Sequence, residues 1–192
     1  MRKIIVATLC CIPFISFDIL YAHEHGNLEA HEHGKIDINL ALNNNVLALE
    51  LDGPAASITG FEYAPSSTTD KEVAKLAKQQ LENPLVLFAI AHNAQCTLTT
   101  TNVEGAVFGS AKEKDVHEAE SGHEEKEAHH HSDIEAQYSF TCKQPDALKQ
   151  LDFANFFKVF PLTKQINLQY IGTESQKGAN LTSTNSQFKL NQ

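Results

Sequence analysis

Glycine and proline are scarce, 9 and 6 residues in 192, which excludes a collagen-like or low-complexity chain. Four cysteines are too few for a small disulfide scaffold, and 42% hydrophobic residues are too many for a wholly disordered protein. Basic charge is in deficit. Fifteen Lys and Arg against 24 Asp and Glu give a formal charge of −9, so the chain is ill suited to phosphate backbones and no nucleic-acid partner is expected. Long apolar runs are missing too: Ile4–Phe17 is uncharged over 14 residues, short of the roughly 20 that span a bilayer. Asn83–Val103 also lacks formal charge, but Pro84, His92, Asn93, Gln95 and a run of threonines break it. No stable membrane insertion is expected.

The short apolar run has the position and length of a signal-peptide core, preceded by Arg2 and Lys3 and followed by a cleavage sequence, Leu20-Tyr21-Ala22. Residues 1–22 are therefore read as a cleavable signal peptide and 23–192 as the working chain, of net charge −10. Cys10 and Cys11 leave with the signal, so Cys96 and Cys142 remain; in an exported protein an isolated pair reads as one disulfide.

Residues 35–42 alternate apolar and polar, with Ile36, Ile38, Leu40 and Leu42 on one face. Asn43-Asn44-Asn45 is a turn composition, and Val46, Leu47, Leu49 and Leu51 continue as a second strand, so a hairpin is predicted. Thr69 and Glu72 form a capping box before Val73, Leu76, Ala77 and Leu81 at helical spacing, with Asn83-Pro84 as the stop. Further strands are predicted over 97–103, 134–141 and 165–171, with weak edge strands near 180–182 and 187–190. Phe153, Phe156, Phe157 and Phe160 form one face of a short helix capped by Asp152, a stripe that reads as core. The pattern is that of a single β-rich α+β domain: a mostly antiparallel sheet or sandwich with two short helices. Pairing Cys96 with Cys142 across neighbouring strands would set Leu98 opposite Phe140 and Thr100 opposite Tyr138, with the bond closing the base of the segment between them.

That segment is unlike the rest. Residues 112–133 hold five His, eight Asp or Glu and three Lys, with Val116 the single large apolar side chain, too little to bury; a disordered, mobile loop is expected. Ten histidines are unusual, and they are concentrated: four in 23–33 and five in 117–131, leaving His92 alone. Ala22-His23-Glu24-His25-Gly26 recurs as Ala30-His31-Glu32-His33-Gly34. In an extended chain residues i and i+2 share a side, so each pair can close on one ion, and two pairs make a tetrahedral set. The candidate metal ligands are His23, His25, His31 and His33, joined by His117, His123, His129, His130 and His131 in a loop without fixed ligand spacing, suited to exchangeable sites. Zinc is the expected ion. Copper or nickel is the alternative, because cleavage after Ala22 would place His25 third from a free amine, a square-planar chelate. A zinc hydrolase needs three fixed ligands, an open position and a base; no His-Glu-x-x-His or Ser-His-Asp set is present, so no enzyme and no catalytic residue is expected.

His31-Glu32-His33-Gly34 before a β-hairpin, then Pro54-Ala55-Ala56, Gly60-Phe61-Glu62, Asn83-Pro84-Leu85, the Cys96 strand, a His-rich insertion and Phe160-Pro161, all in this order, resemble the zinc-regulated periplasmic proteins called ZrgA, from about His31 to Ile171. The resemblance implies a periplasmic zinc-binding protein that assists zinc uptake, alongside a zinc ABC transporter and its solute-binding protein. That family often carries His directly after Gly-Phe-Glu. Here Tyr63 stands there and removes one donor from the neighbourhood of Glu62.

Overall fold

The computed structural model describes residues 32–109, 132–173 and 175–190, which belong to one compact unit, His31–Gln192. The alternating segments form strands Lys35–Asn43 (β1) and Val46–Pro54 (β2), paired antiparallel around Asn44, whose φ of +53° asparagine tolerates. Ile36, Ile38, Leu40, Leu47, Leu49 and Leu51 are at most 2% exposed, while Asp37, Asn39, Glu50 and Asp52 face solvent. Burying each such aliphatic side chain is worth roughly 1.5–3 kcal/mol, so a one-residue slip would expose the whole set; burial fixes the register.

A 14-residue helix, Thr68–Leu81 (α1), follows, then a single turn, Pro84–Leu87 (α2). The hairpin Cys96–Gly105 (β3) and Asp133–Cys142 (β4), the short strand Gln150–Asp152 (β5), the helix Ala154–Val159 (α3), and strands Gln165–Gly172 (β6), Gln176–Leu181 (β7) and Gln187–Lys189 (β8) complete the order. Six strands make one sheet in the order β3-β4-β2-β1-β6-β7; β5 and β8 make a second, two-stranded one. Every pair is antiparallel except β1–β6. The predicted class, α+β with a mostly antiparallel sheet, is the one formed.

The helices cover the apolar face of the large sheet. α1 turns Ala74, Ala77 and Leu81 inward. At its C-terminal end the buried Tyr138 hydroxyl donates to the Leu81 carbonyl at 2.8 Å, satisfying both groups, and burial raises the Tyr138 pKa. Beneath lies an aromatic cluster in which Phe88 meets Tyr138, Phe153 and Phe156 at centroid distances of 5.7, 5.6 and 6.1 Å. All four phenylalanines of the predicted stripe are core residues. Asp152 holds the helix start, accepting from Ala154 N at 2.8 Å.

Several details depart from the sequence pattern. The α1 cap is Ser67, whose hydroxyl accepts from Asp70 N at 3.0 Å, not Thr69 with Glu72; Ser67 has the same three-residue spacing to an acid and lies just outside the helix in extended backbone. Of the predicted helical face, Ala77 and Leu81 are buried, together with Ala74, whereas Val73 and Leu76 are 38% and 50% exposed. Pro84 opens a further turn instead of only ending α1, since a proline at the first helical position loses no hydrogen bond, and the described helices number three.

Cys96 and Cys142 are bonded, with Sγ–Sγ 2.06 Å. Leu98 faces Phe140 as expected, but Thr101, not Thr100, faces Tyr138: a bulge at Thr99, whose hydroxyl donates to the Ser139 carbonyl at 2.9 Å, shifts the register by one residue. The shift has a cause. Leu98 and the buried Val103 are five residues apart and share a face only if one residue is looped out. The disulfide also lies elsewhere than expected. It joins the first residue of β3 to the last of β4, whereas the insertion connects Gly105 to Asp133 at the opposite end of the hairpin. The bond ties the open ends, not the base of the loop.

Candidate metal centre

Both His-rich segments join the fold at one end of the large sheet. There β1 and β6 begin, β2 and β3 end, and β4 begins. The 3-10 turn Ala55–Ser57, directly after β2, holds both segments where they meet the sheet. Its Ser57 hydroxyl accepts from Gly34 N at 2.9 Å, fixing the chain as it comes in from the His-Glu-His-Gly segment. Its Ala55 N donates to the Ser132 carbonyl at 2.8 Å, fixing the chain as it returns from the insertion. Thr163, before β6, donates to the Ser57 carbonyl at 3.0 Å and locks the turn from below. Gly34 is needed where it stands: φ is +88°, and a Cβ there would lie 3.2 Å from Lys164 Cγ. Its carbonyl accepts from Lys164 N and Gln165 N at 2.7 and 3.0 Å.

From this anchor His33 projects outward, its side chain 64% exposed, with Nε2 2.9 Å from Oε1 of Glu62, which is only 14% exposed. Glu62 arrives on the segment after the turn. The buried Thr59 hydroxyl donates to the Phe61 carbonyl at 2.8 Å, Gly60 takes φ +88°, and Phe61 and Tyr63 stack at 5.0 Å on either side of Glu62 in sequence. An imidazole carrying its proton on Nε2, toward the carboxylate, would keep the Nδ1 lone pair for a metal, the carboxylate-histidine arrangement by which a second residue orients a ligand.

Around the pair the sheet end is acidic. On the face away from the core, Glu104, Glu135, Asp52 and Asp37 are successive cross-strand neighbours over β3, β4, β2 and β1. Asn167 donates to Asp37 at 2.9 Å and Asn102 to Glu104 at 2.8 Å. Like charges placed side by side on a sheet are unfavourable, and a row of them raises the local concentration of cations. The row supplies a field. Among the described residues no group of three or more His, Cys, Asp or Glu is assembled closely enough to enclose an ion.

Of the predicted ligands, His33 is described and sits in this arrangement. His23, His25, His31, His117, His123, His129, His130 and His131 lie outside the described residues, as do the signal peptide and residues 112–131 of the expected loop. Ser132, buried, and Asp133, in β4, belong to the fold rather than to the loop. The partner that sequence reasoning does not place is Glu62.

The sequence profile of a family described as ZrgA family zinc uptake protein matches residues 30–190, from the second His-Glu-His-Gly copy to the end of the last strand. This chain belongs to the ZrgA family. No match was found among curated proteins. The family is one of zinc uptake, not of enzymes, and zinc is accordingly the ion against which the site is judged. Imidazole and carboxylate are both zinc donors, and His33 with Glu62 provides one of each. Among the described residues no helix is long and apolar enough to cross a membrane.

Proposed function

We propose that the ZrgA-family chain is exported, cleaved after Ala22, and collects zinc in the periplasm through its two His-rich segments, acting as one β-rich metal-binding domain over 23–192. The observation that carries this reading is the double anchoring on the 3-10 turn Ala55–Ser57: one three-residue element holds the incoming chain of the first segment through Ser57 and the returning chain of the second through Ala55. Two sets of imidazoles with nothing in common in sequence position are thereby tethered to one end of one sheet. His33, oriented by Glu62, is the fixed member; His23, His25 and His31 supply the rest of the N-terminal set. His117, His123, His129, His130 and His131 supply exchangeable donors from the insertion. The acidic row draws cations to that end. Zinc gathered there is passed to the uptake system, a zinc ABC transporter with its solute-binding protein.

A copper or nickel role is the competing reading, supported by His25 standing third from the amine that cleavage would create. Native mass spectrometry of the protein taken from the periplasm separates them. The zinc reading expects a chain beginning at His23, one disulfide, and bound zinc. Copper or nickel in place of zinc, or a metal-free protein after growth in zinc, would overturn it.

A further inference from the structure

Charge is spread unevenly over the two faces of the large sheet. The acidic row occupies the face away from the core, whereas α1, on the apolar face, carries Lys71, Lys75 and Lys78. At i, i+4 and i+7 these three share one flank of the helix, beside the buried Ala74 and Leu81. Lys71 and Lys75 are exposed and Lys78 is half-buried. Among the described residues none of the three is in an ion pair, not even with Glu82 one turn past Lys78; the pairs formed are Lys35–Glu32 and His33–Glu62. In a chain of formal charge −9, three lysines thus stand side by side with no carboxylate upon them.

Lys78 shows what this flank faces. Its Nζ lies 5.8 Å from the centre of the Phe108 ring, in the 3-10 turn Ala106–Phe108 that directly follows β3. Gly109 then takes φ +77°, with no atom within 4 Å of where a Cβ would stand, so the chain leaves the turn into open space. The insertion comes next. Residues 110–131 carry seven Asp or Glu against three Lys, a net charge of −4 with the histidines neutral.

We infer that the acidic insertion docks on the lysine flank of α1. Charge and tether both name this occupant. The segment supplies the anions that the lysines lack, and it starts from the turn that Lys78 touches, so its carboxylates meet the flank at the high effective concentration of a short linker. Length suffices: Lys71 to Lys78 is about 10 Å along the helix, a span that three or four extended residues cover. The other face of the sheet offers these carboxylates no rival place, because Asp37, Asp52, Glu104 and Glu135 repel them. Zinc changes the balance. Two bound ions cancel the charge of −4 that holds the segment, and the loaded insertion leaves α1. The release rests on the zinc reading; the docking does not.

The test is zero-length cross-linking of the metal-free full chain at pH 7 with a water-soluble carbodiimide, which condenses an ammonium and a carboxylate in contact into an amide. Peptide mass spectrometry should find Lys71, Lys75 or Lys78 joined to carboxylates of residues 113–127, at a yield independent of protein concentration. Raising NaCl from about 0.05 to about 0.5 M should lower that yield at least threefold, and so should saturating zinc. Replacing the three lysines by glutamine, which keeps the helix, should speed cleavage of the insertion by a glutamate-specific protease at least threefold. Absence of these links in a sample where Lys35 is joined to Glu32, or equal cleavage rates in parent and variant, would overturn the docking. Links formed between copies, with a yield that grows with concentration, would overturn it in favour of a second chain as occupant. Full yield with zinc bound would overturn the release, whereas links in a chain that binds no zinc would uphold the docking and sink the zinc reading alone.

Discussion

Replacing Cys96 and Cys142 together by alanine removes a cross-link between residues 46 apart in sequence. In the chain-entropy description that closure takes about 13 cal/mol/K from the unfolded chain, or about 4 kcal/mol at 25 °C. The fold makes a second, sharper expectation available. The covalent loop that the bond closes, residues 96 to 142, contains the whole insertion. Deleting the 21 residues 111–131 shortens the separation from 46 to 25, so the bond should lose 1.5RT ln(46/25), about 0.5 kcal/mol. Cys142 is fully buried, and the missing sulfur adds a small cavity term, on the order of 1 kcal/mol, that is the same in both backgrounds. Urea unfolding of four proteins (parent, double alanine, deletion, and the combination) measures every term. At a slope of about 2 kcal/mol/M, a loss of about 4 kcal/mol moves the midpoint by about 2 M. A loss under about 1 kcal/mol in the parent background would refute the entropic account. So would a disulfide contribution that grows when the insertion is removed.

The same deletion should lower the number of zinc ions bound in titration calorimetry while leaving the circular dichroism spectrum and a cooperative thermal transition in place; it must stop at His131, because the Ser132 carbonyl holds Ala55 N. Unchanged stoichiometry would remove the insertion from the collecting role. Glu62→Gln keeps the shape but weakens the hold on His33, and should cost roughly 10–100-fold in affinity at the N-terminal site, the usual effect of losing an orienting carboxylate; an affinity equal to the parent's would show that His33 binds unaided or not at all. Zinc affinity should fall at least tenfold between pH 7.5 and 5.5, since free imidazole titrates near ~6.5 and ligates only when neutral; a constant value would assign the metal to carboxylates. At alkaline pH the sign is set by Tyr138. Its pKa is raised in the fold, so above the ordinary value near 10 the unfolded chain loses a proton that the folded chain keeps, and stability falls as pH rises. Tyr138→Phe should flatten that alkaline limb in chemical denaturation, at a cost of roughly 1–2 kcal/mol at pH 7 for the bond to Leu81; an unaltered slope would assign the alkaline loss to other groups.

Strands are legible wherever alternation is strict. In β1 and β2 every second residue from Ile36 to Leu42 and from Leu47 to Leu51 is aliphatic and the opposite face carries the polar side chains, so pattern and burial largely coincide. The pattern is weaker in the long helix. In α1 periodicity points to Val73, Leu76, Ala77 and Leu81; the last two are buried, but Ala74 takes the inward place beside them and Val73 and Leu76 stay exposed, a rotation of the face that a hydropathy pattern does not mark. The bulge at Thr99 is readable in principle. Cys96 and Leu98 are even-numbered, Val103 is odd, and all pack on one side, which requires a looped-out residue among the threonines between them. Strand order is not readable, but the location of the disulfide is: Cys96 precedes the strand predicted over 97–103 and Cys142 follows the one predicted over 134–141, so in an antiparallel hairpin the bond must fall at the end opposite the insertion.

The site divides along the same line. Histidines repeated at i and i+2 announce themselves, because one short segment supplies several donors of one chemistry. Glu62 stands 29 residues from His33, and it reaches that histidine only because Gly60 turns the chain and Thr59 fixes the turn from within. In the sequence Tyr63 draws the eye, as the residue that takes a donor away, yet the adjacent carboxylate is the one that makes contact. The acidic row is hidden for a related reason. Asp37, Asp52, Glu104 and Glu135 are unremarkable as single polar residues on four strands, and they become a row only when β3, β4, β2 and β1 are laid side by side in that order and register. Sequence spacing therefore finds ligands that a segment brings by itself. The groups that orient them and the field they stand in come from pairings between segments, and the tight turn Ala55–Ser57, whose two ends hold chains 23 and 77 residues away, is where those pairings meet.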